Sequence, residues 1–261
     1  MRFLLSARWI GFFLAVVALA VVCVLMGDWQ WHKREVRHES NERVEQHLAA
    51  DPVPLDQVAP VGLKVTKDLE WTRVVAQGRY DPTSQVTVKF STRDGRPGAE
   101  VVTPLLLDDG SAVLVDRGWV PTSNTAAAPS DVPAPPSGTV TVEGWLRPDS
   151  NAGADATTPV DGQVRSVSST GLAGSLPYDV RSGYLNLREQ TGGTGGLELE
   201  PKPDLGGGPH FFYGLQWWFF AGLALAGFVW FARIEWLERR AGHGGPPSTR
   251  DGDREDVSAT P

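Results

Sequence analysis

His210 carries the most suggestive chemistry in the chain. A helix beginning there places Tyr213, Gly214, Trp217 and Ala221 on the same face, because residues three, four, seven and eleven positions on share one side. An imidazole beside a glycine gap and large aromatic rings has the make-up of a holder for a flat, apolar macrocycle such as haem. From spacing alone, an interfacial histidine within an aromatic belt is the plainer reading. Arg117, within Val115-Asp116-Arg117-Gly118-Trp119-Val120-Pro121, is a second candidate. Its guanidinium has the geometry to clamp a carboxylate such as a haem propionate. On chemistry alone, an internal Asp–Arg pair with Trp119 packed as core is the simpler role. His32 is followed by Lys33 and Arg34 and reads as a solvated helix residue, and His38, His47 and His243 lie in polar surroundings.

These side chains must be positioned by a chain of 261 residues, 41% hydrophobic and 21% charged, with a formal net charge of −7. That is enough for one good-sized domain and more. The acidic balance argues against a nucleic-acid partner, whose backbone is neutralised by clustered Lys and Arg. The single cysteine, Cys23, excludes an internal disulfide and every Cys-rich metal site. The P-loop, His-Glu-x-x-His and Gly-x-Ser-x-Gly signatures are missing, so the expectation is a protein that is not an enzyme. Gly192-Gly193-Thr194-Gly195-Gly196-Leu197-Glu198 imitates a dinucleotide loop, but Glu198 replaces the last glycine and a flexible tether is the better reading.

Trp9 to Met26 and Phe211 to Ala232 are uncharged stretches. As helices they reach roughly 27 and 33 Å, against a hydrocarbon core of about 30 Å. Trp9, Trp29, Trp217 and Trp218 stand where interfacial belts form. A cleaved signal peptide is the alternative for the first stretch, since Ala18-Leu19-Ala20 imitates a cleavage site, but the apolar run continues well past it. Arg233, Arg239 and Arg240 follow the second span while only Lys202 lies close before it, which points to a cytoplasmic C-terminus. The first span is ambiguous, with Arg2 and Arg8 before it and Lys33, Arg34 and Arg37 after it. The expected layout is a cytoplasmic N-terminus at 1–8, a first span at 9–27, an extracytoplasmic domain at 28–209, a second span at 210–232, and a cytoplasmic tail at 233–261 that is disordered from about 241. Small residues spaced four apart, Gly11/Ala15 and Gly222/Ala226, suit close packing of the spans on each other or on a partner.

The middle domain reads as antiparallel β, barrel- or sandwich-like, with little helix. Gln85 to Phe90 alternates strictly, apolar at Val86, Val88 and Phe90. Val101 to Leu107 and Ala112 to Val115 flank the turn Asp108-Asp109-Gly110, with Pro104 marking an edge or bulge. Trp71 to Tyr80, Thr139 to Arg147, Val164 to Ser168 and Tyr184 to Arg188 are further strands. Asp28 to Ala49 continues the first span as a solvated helix, and Ser169 to Leu176 forms a short one. The stretches Pro121 to Ser137 and Thr191 to Pro209 read as long loops or tethers.

The order of motifs resembles the Surfeit locus protein 1 family, membrane assembly factors for haem-copper cytochrome c oxidase, and the likeness spans nearly the whole chain. It is carried by Gly27-Asp28-Trp29-Gln30, by Val75-Ala76-Gln77-Gly78-Arg79-Tyr80-Asp81, and by Thr103-Pro104-Leu105 leading into Val113 to Pro121. Val142-Glu143-Gly144-Trp145-Leu146-Arg147-Pro148 follows, and His210-Phe211-Phe212-Tyr213-Gly214-Leu215-Gln216-Trp217 opens the second span. Gly214 stands where relatives often carry Ala, and the tail beyond Arg240 extends past the shared pattern. The resemblance implies a bacterial plasma-membrane protein with both ends cytoplasmic. It implies delivery of haem a to the oxidase catalytic subunit, with other assembly or haem-synthesis proteins as partners. It also implies His210 as the iron ligand, and the expected mechanism has the Tyr213 and Trp217 face of the helix shielding the ring. A membrane scaffold that holds an oxidase subunit without binding haem is the alternative.

Overall fold

The computed structural model describes residues 2–206 and 210–242, with side chains at 4–206 and 212–240. Two compact units emerge: Glu39–Leu205, and the residues up to His38 together with those from Gly206 onward. The expected disordered tail falls largely outside the described residues.

The elements, in order, are α1 (Ala7–Ala49), β1 (Val53–Pro54), α2 (Leu55–Val58), β2 (Arg73–Tyr80), β3 (Val86–Arg93), β4 (Arg96–Leu107), β5 (Ala112–Pro121), β6 (Thr139–Arg147), α3 (Ala154–Thr157), β7 (Gln163–Val164), α4 (Ser169–Ala173), β8 (Val180–Gln190) and α5 (His210–Gly242). Both α1 and α5 contain a segment long and apolar enough to cross a membrane, and they flank a strand-rich domain with little helix. One unbroken helix runs from the apolar stretch of α1 through the polar stretch that follows it.

In the strand-rich unit, β2 pairs with β6 on one side and β4 on the other, so the order β2–β6–β8–β5–β4 closes on itself as a five-stranded barrel. Closure removes the unpaired edges that an open sheet leaves. Most pairs are antiparallel, but β5 and β8 run parallel, and the long connection between them carries β6, α3, β7 and α4. Two-residue alternation builds the wall: Val140 and Val142 of β6, and Val74, Ala76 and Tyr80 of β2, turn inward while Thr139, Thr141, Gln77 and Arg79 face out. Strand β5 is covered on both sides. Val113 and Val115 enter the barrel core with Leu105, Leu146, Leu185 and Leu187, while Leu114 enters a second core with Val86, Val88, Val102 and Leu172 of α4. Each fully buried aliphatic side chain contributes about 1.5–3 kcal/mol.

Pro104 lies where β4 changes partners. Val102 is its last residue paired to β3 and Leu105 its first paired to β2, so a residue without an N–H interrupts no ladder on that side. Phe90 departs from the alternation expected of it. It adopts φ 68° at a bulge between Val88 and Ser91, and its ring is exposed while Val86 and Val88 are buried.

Candidate functional site

Helix α5 opens at His210, whose side chain lies outside the described residues. One turn on, Tyr213 is 48% exposed. The face continuing through Gly214, Trp217 and Ala221 is covered by α1. Ala221 is buried with Ala20 and Cys23, the Trp217 ring packs against that cluster, and a Cβ placed on Gly214 would lie 3.6 Å from the Gly27 carbonyl and 3.7 Å from the Gln30 Cβ. A side chain on Gly27 would collide with the Trp218 indole, which in turn stacks on Trp31 at 5.8 Å. The buried stripe of α1 is therefore Val16, Ala20, Cys23 and Gly27. Gly11/Ala15 and Gly222/Ala226 are exposed, so of their two expected uses the packing of the spans on each other is not the one seen. Both sets satisfy a four-residue spacing, and the large aromatic partners decide which is used. The glycine gap beside Trp217 is consequently a helix contact and offers no space for a macrocycle.

Arg117 belongs to the barrel unit and has no exposed surface. Its Nη1 donates to Gln85 Oε1 at 3.1 Å, an oxygen that also accepts from the Thr103 hydroxyl at 3.0 Å, and its Nη2 donates to the Pro133 carbonyl at 2.9 Å. Its carbon lies 5.7 Å from the centre of the Tyr80 ring, whose hydroxyl donates to Gln190 Oε1 at 2.6 Å. Burial depresses the Arg117 pKa, partly offset by Tyr80, and burial pushes the Tyr80 phenol up. A guanidinium enclosed this way is spent inside the domain and presents nothing to an external propionate. Nor does it pair with Asp116, whose Oδ1 accepts from the Gly118 N–H at 3.1 Å.

The remaining motif residues explain themselves as structure. Gly118 adopts φ 128° with Glu198 so close that a Cβ would lie 2.8 Å from its carbonyl, and Trp119 exchanges backbone hydrogen bonds with Glu198 at 2.8 and 3.0 Å. The Trp119 ring fills the notch left by Gly98 beneath the Arg96 guanidinium, 5.0 Å away. Arg93 donates to the carbonyls of Glu198 and Leu199 and pairs with Glu200. The far part of the supposed glycine tether is thus laid along the barrel, with Leu197 buried. His47, read from sequence as solvated, places its Nδ1 2.8 Å from the Glu70 carbonyl oxygen, and Arg43 pairs with Asp68 at 3.0 Å, seating the end of α1.

Two helices, each with a segment long and apolar enough to cross a membrane, flank a closed β-barrel, which is the architecture of a membrane protein. A profile of the SURF1 family matches residues 17–222, and the chain belongs to that family, one of cytochrome oxidase assembly factors. It is 34% identical to a SURF1-like protein of Mycobacterium tuberculosis over 252 residues, 95% of this chain and 92% of the relative. It is also 31% identical to Surfeit locus protein 1 of Takifugu rubripes over 112 residues, 37% of this chain and 45% of the other. The Arabidopsis thaliana Surfeit locus protein 1 is 32% identical over 108 residues, 38% and 30% of the two chains.

Proposed function

We propose that this protein assists assembly of haem-copper cytochrome c oxidase in a bacterial plasma membrane, handing haem a to the catalytic subunit as cargo. Family membership supports the oxidase role, and the observation that carries the cargo reading is that the matched region contains His210-Phe211-Phe212-Tyr213 at the opening of α5. In this reading, residues 1–8 and 233–261 are cytoplasmic and 28–209 lie outside, consistent with the arginines that follow the second span. One imidazole with the exposed Tyr213 ring a turn away suits an iron porphyrin held loosely enough to be released. When bound, the haem would supply only an iron for His210 to ligate. In this reading Trp217 and Arg117 serve the fold, Trp217 in the helix contact and Arg117 in the loop network.

That packing is also the observation favouring a second reading, a scaffold that holds the oxidase subunit and never binds haem. Spectra of detergent-purified wild type and His210→Ala, from cells making haem a, separate the two. A Soret band in the wild type that is lost in the variant supports the carrier. If neither preparation carries haem while the wild type restores oxidase activity, the scaffold replaces it.

A further inference from the structure

Where the start of α1 meets the end of α5, a cleft of about 540 Å³ is lined by Arg8, Trp9, Phe12, Phe231, Ile234, Glu235 and Glu238. Its floor is a set of interlocked rings: Trp9 and Phe12 lie 5.8 and 5.5 Å from Phe228, and Phe12 lies 6.5 Å from Phe231. Rings that hold one another keep the depression open and apolar. Its rim is charged. Glu235 receives Arg239 from the next turn at 2.7 Å, whereas Arg8 and Glu238 have no ion-pair partner among the described residues. The floor is continuous with the two apolar stretches and the rim stands just beyond both, so the cleft opens at a membrane–water boundary.

We infer that this cleft holds one phospholipid whose headgroup carries a primary ammonium next to its phosphate, of the ethanolamine type. Arg8 meets the phosphate, as guanidinium groups do, and the Glu238 and Glu235 carboxylates accept N–H bonds from the ammonium. The first carbons of an acyl chain cover the Trp9, Phe12 and Phe231 rings. With Arg239 on Glu235 counted, two cations and two carboxylates stand at the rim and balance, which suits a zwitterion. Two carboxylates repel an anionic glycerol headgroup, and a choline headgroup has no N–H to give them. The cleft volume falls within the range of small-molecule sites. This site concerns the lipid held by the helix pair and stands apart from the cargo reading.

The test is native mass spectrometry of the full chain released from micelles containing equal amounts of phosphatidylethanolamine, phosphatidylcholine and phosphatidylglycerol. The expected result is a single-lipid adduct in which the ethanolamine lipid is enriched about tenfold or more over either competitor, the scale of one hydrogen bond to a charged group. Glu238→Gln lowers that enrichment towards unity, and Arg8→Gln weakens retention of all three lipids. Ile234→Trp fills the cleft while leaving every rim charge in place, and it removes the adduct. Equal retention of the three lipids, selectivity unchanged in a Glu235→Gln/Glu238→Gln double variant, or a copurifying polypeptide in place of lipid would each overturn the inference.

Discussion

Arg117 Nη2 lies 2.9 Å from the carbonyl oxygen of Pro133, so a fully enclosed guanidinium ties the Pro-rich loop to the wall of the barrel. The same side chain holds Gln85, the residue leading into β3, and covers the Tyr80 ring. The Tyr80 hydroxyl bonds Gln190, whose amide donates to the Gly193 carbonyl at 2.5 Å. Two connections that read as free tethers are thus fastened to one buried polar network.

Truncating Arg117 to Ala leaves the Pro133 oxygen without its donor, takes from Gln85 Oε1 one of its two donors, and opens a cavity. The expected loss is about 3 kcal/mol of domain stability, from unmet polar groups and lost packing together. Limited proteolysis within 122–138 should accelerate with it. Unchanged thermal unfolding and unchanged cleavage in that loop would show that the network does not fasten it.

Gly27 faces the Trp218 indole with no room for a side chain, since an added Cβ would meet its ring nitrogen at 2.3 Å. Gly27→Val should therefore push the helices apart at a cost of about 1–3 kcal/mol, the usual range for overpacking. Cys23, one turn away and 3% exposed, is a built-in reporter. Its reaction with an uncharged maleimide in detergent should speed up at least about tenfold, the factor that 1.4 kcal/mol represents. An unaltered labelling rate would mean that the stripe does not hold the pair together.

Arg181 is nearly sealed off, with its Nε on Ser111 Oγ at 3.0 Å, its Nη1 on Asp56 and the Ala59 carbonyl, and its Nη2 on Asp109 at 2.7 Å. Its carboxylate partners are more open, the Asp56 side chain being 76% exposed. Arg181→Ala should cost about 3 kcal/mol, because the buried Ser111 hydroxyl and Ala59 carbonyl oxygens lose a donor and the packing around the guanidinium is lost. Asp56→Asn should cost less than about 1 kcal/mol, since water and the remaining acceptors compensate. Chemical denaturation of both variants gives the comparison, and equal losses would contradict this account of the site.

Much of this architecture was legible where a local pattern carries it. Thr139 to Arg147, expected as a strand, is β6 over the same residues, its first half alternating from Thr139 to Val142, and Asp108-Asp109-Gly110 turns β4 into β5. Asp28 to Ala49, rich in good helix formers, extends α1. What escaped is non-local. Closure of β2 onto β4 and the parallel match of β5 to β8 join residues far apart in sequence, with no period to announce them. Leu197 and Glu198 look like the end of a tether because their partner, Trp119, lies on a distant strand. Arg117 did leave a signal: it stands in a stretch from Val113 to Val120 that is otherwise almost wholly apolar, where a charge must find partners inside. The rotation of the helix pair left none, because Gly11, Ala15, Ala20 and Gly27 are all small enough to be approached closely.

Asp116 provides the clearest pH dependence. Burial, with the Glu100 charge second, raises its carboxyl well above the ordinary carboxylate range, against the Gly118 N–H that favours the ionised form. The unfolded chain releases this proton near a pKa of about 3.9. Between that value and the folded one, the native state binds more protons than the unfolded state, so this contribution to stability is full at low pH and is lost as pH rises through the window. Asp116→Asn keeps an oxygen for Gly118 and cannot titrate. It should gain on the wild type as pH rises, by on the order of 1 kcal/mol for each unit by which the folded pKa is raised. Urea unfolding of both proteins from about pH 4 to about pH 8 measures the difference, the wild-type curve falling away from the variant's. Parallel curves would mean that Asp116 ionises in the fold as readily as it does in water.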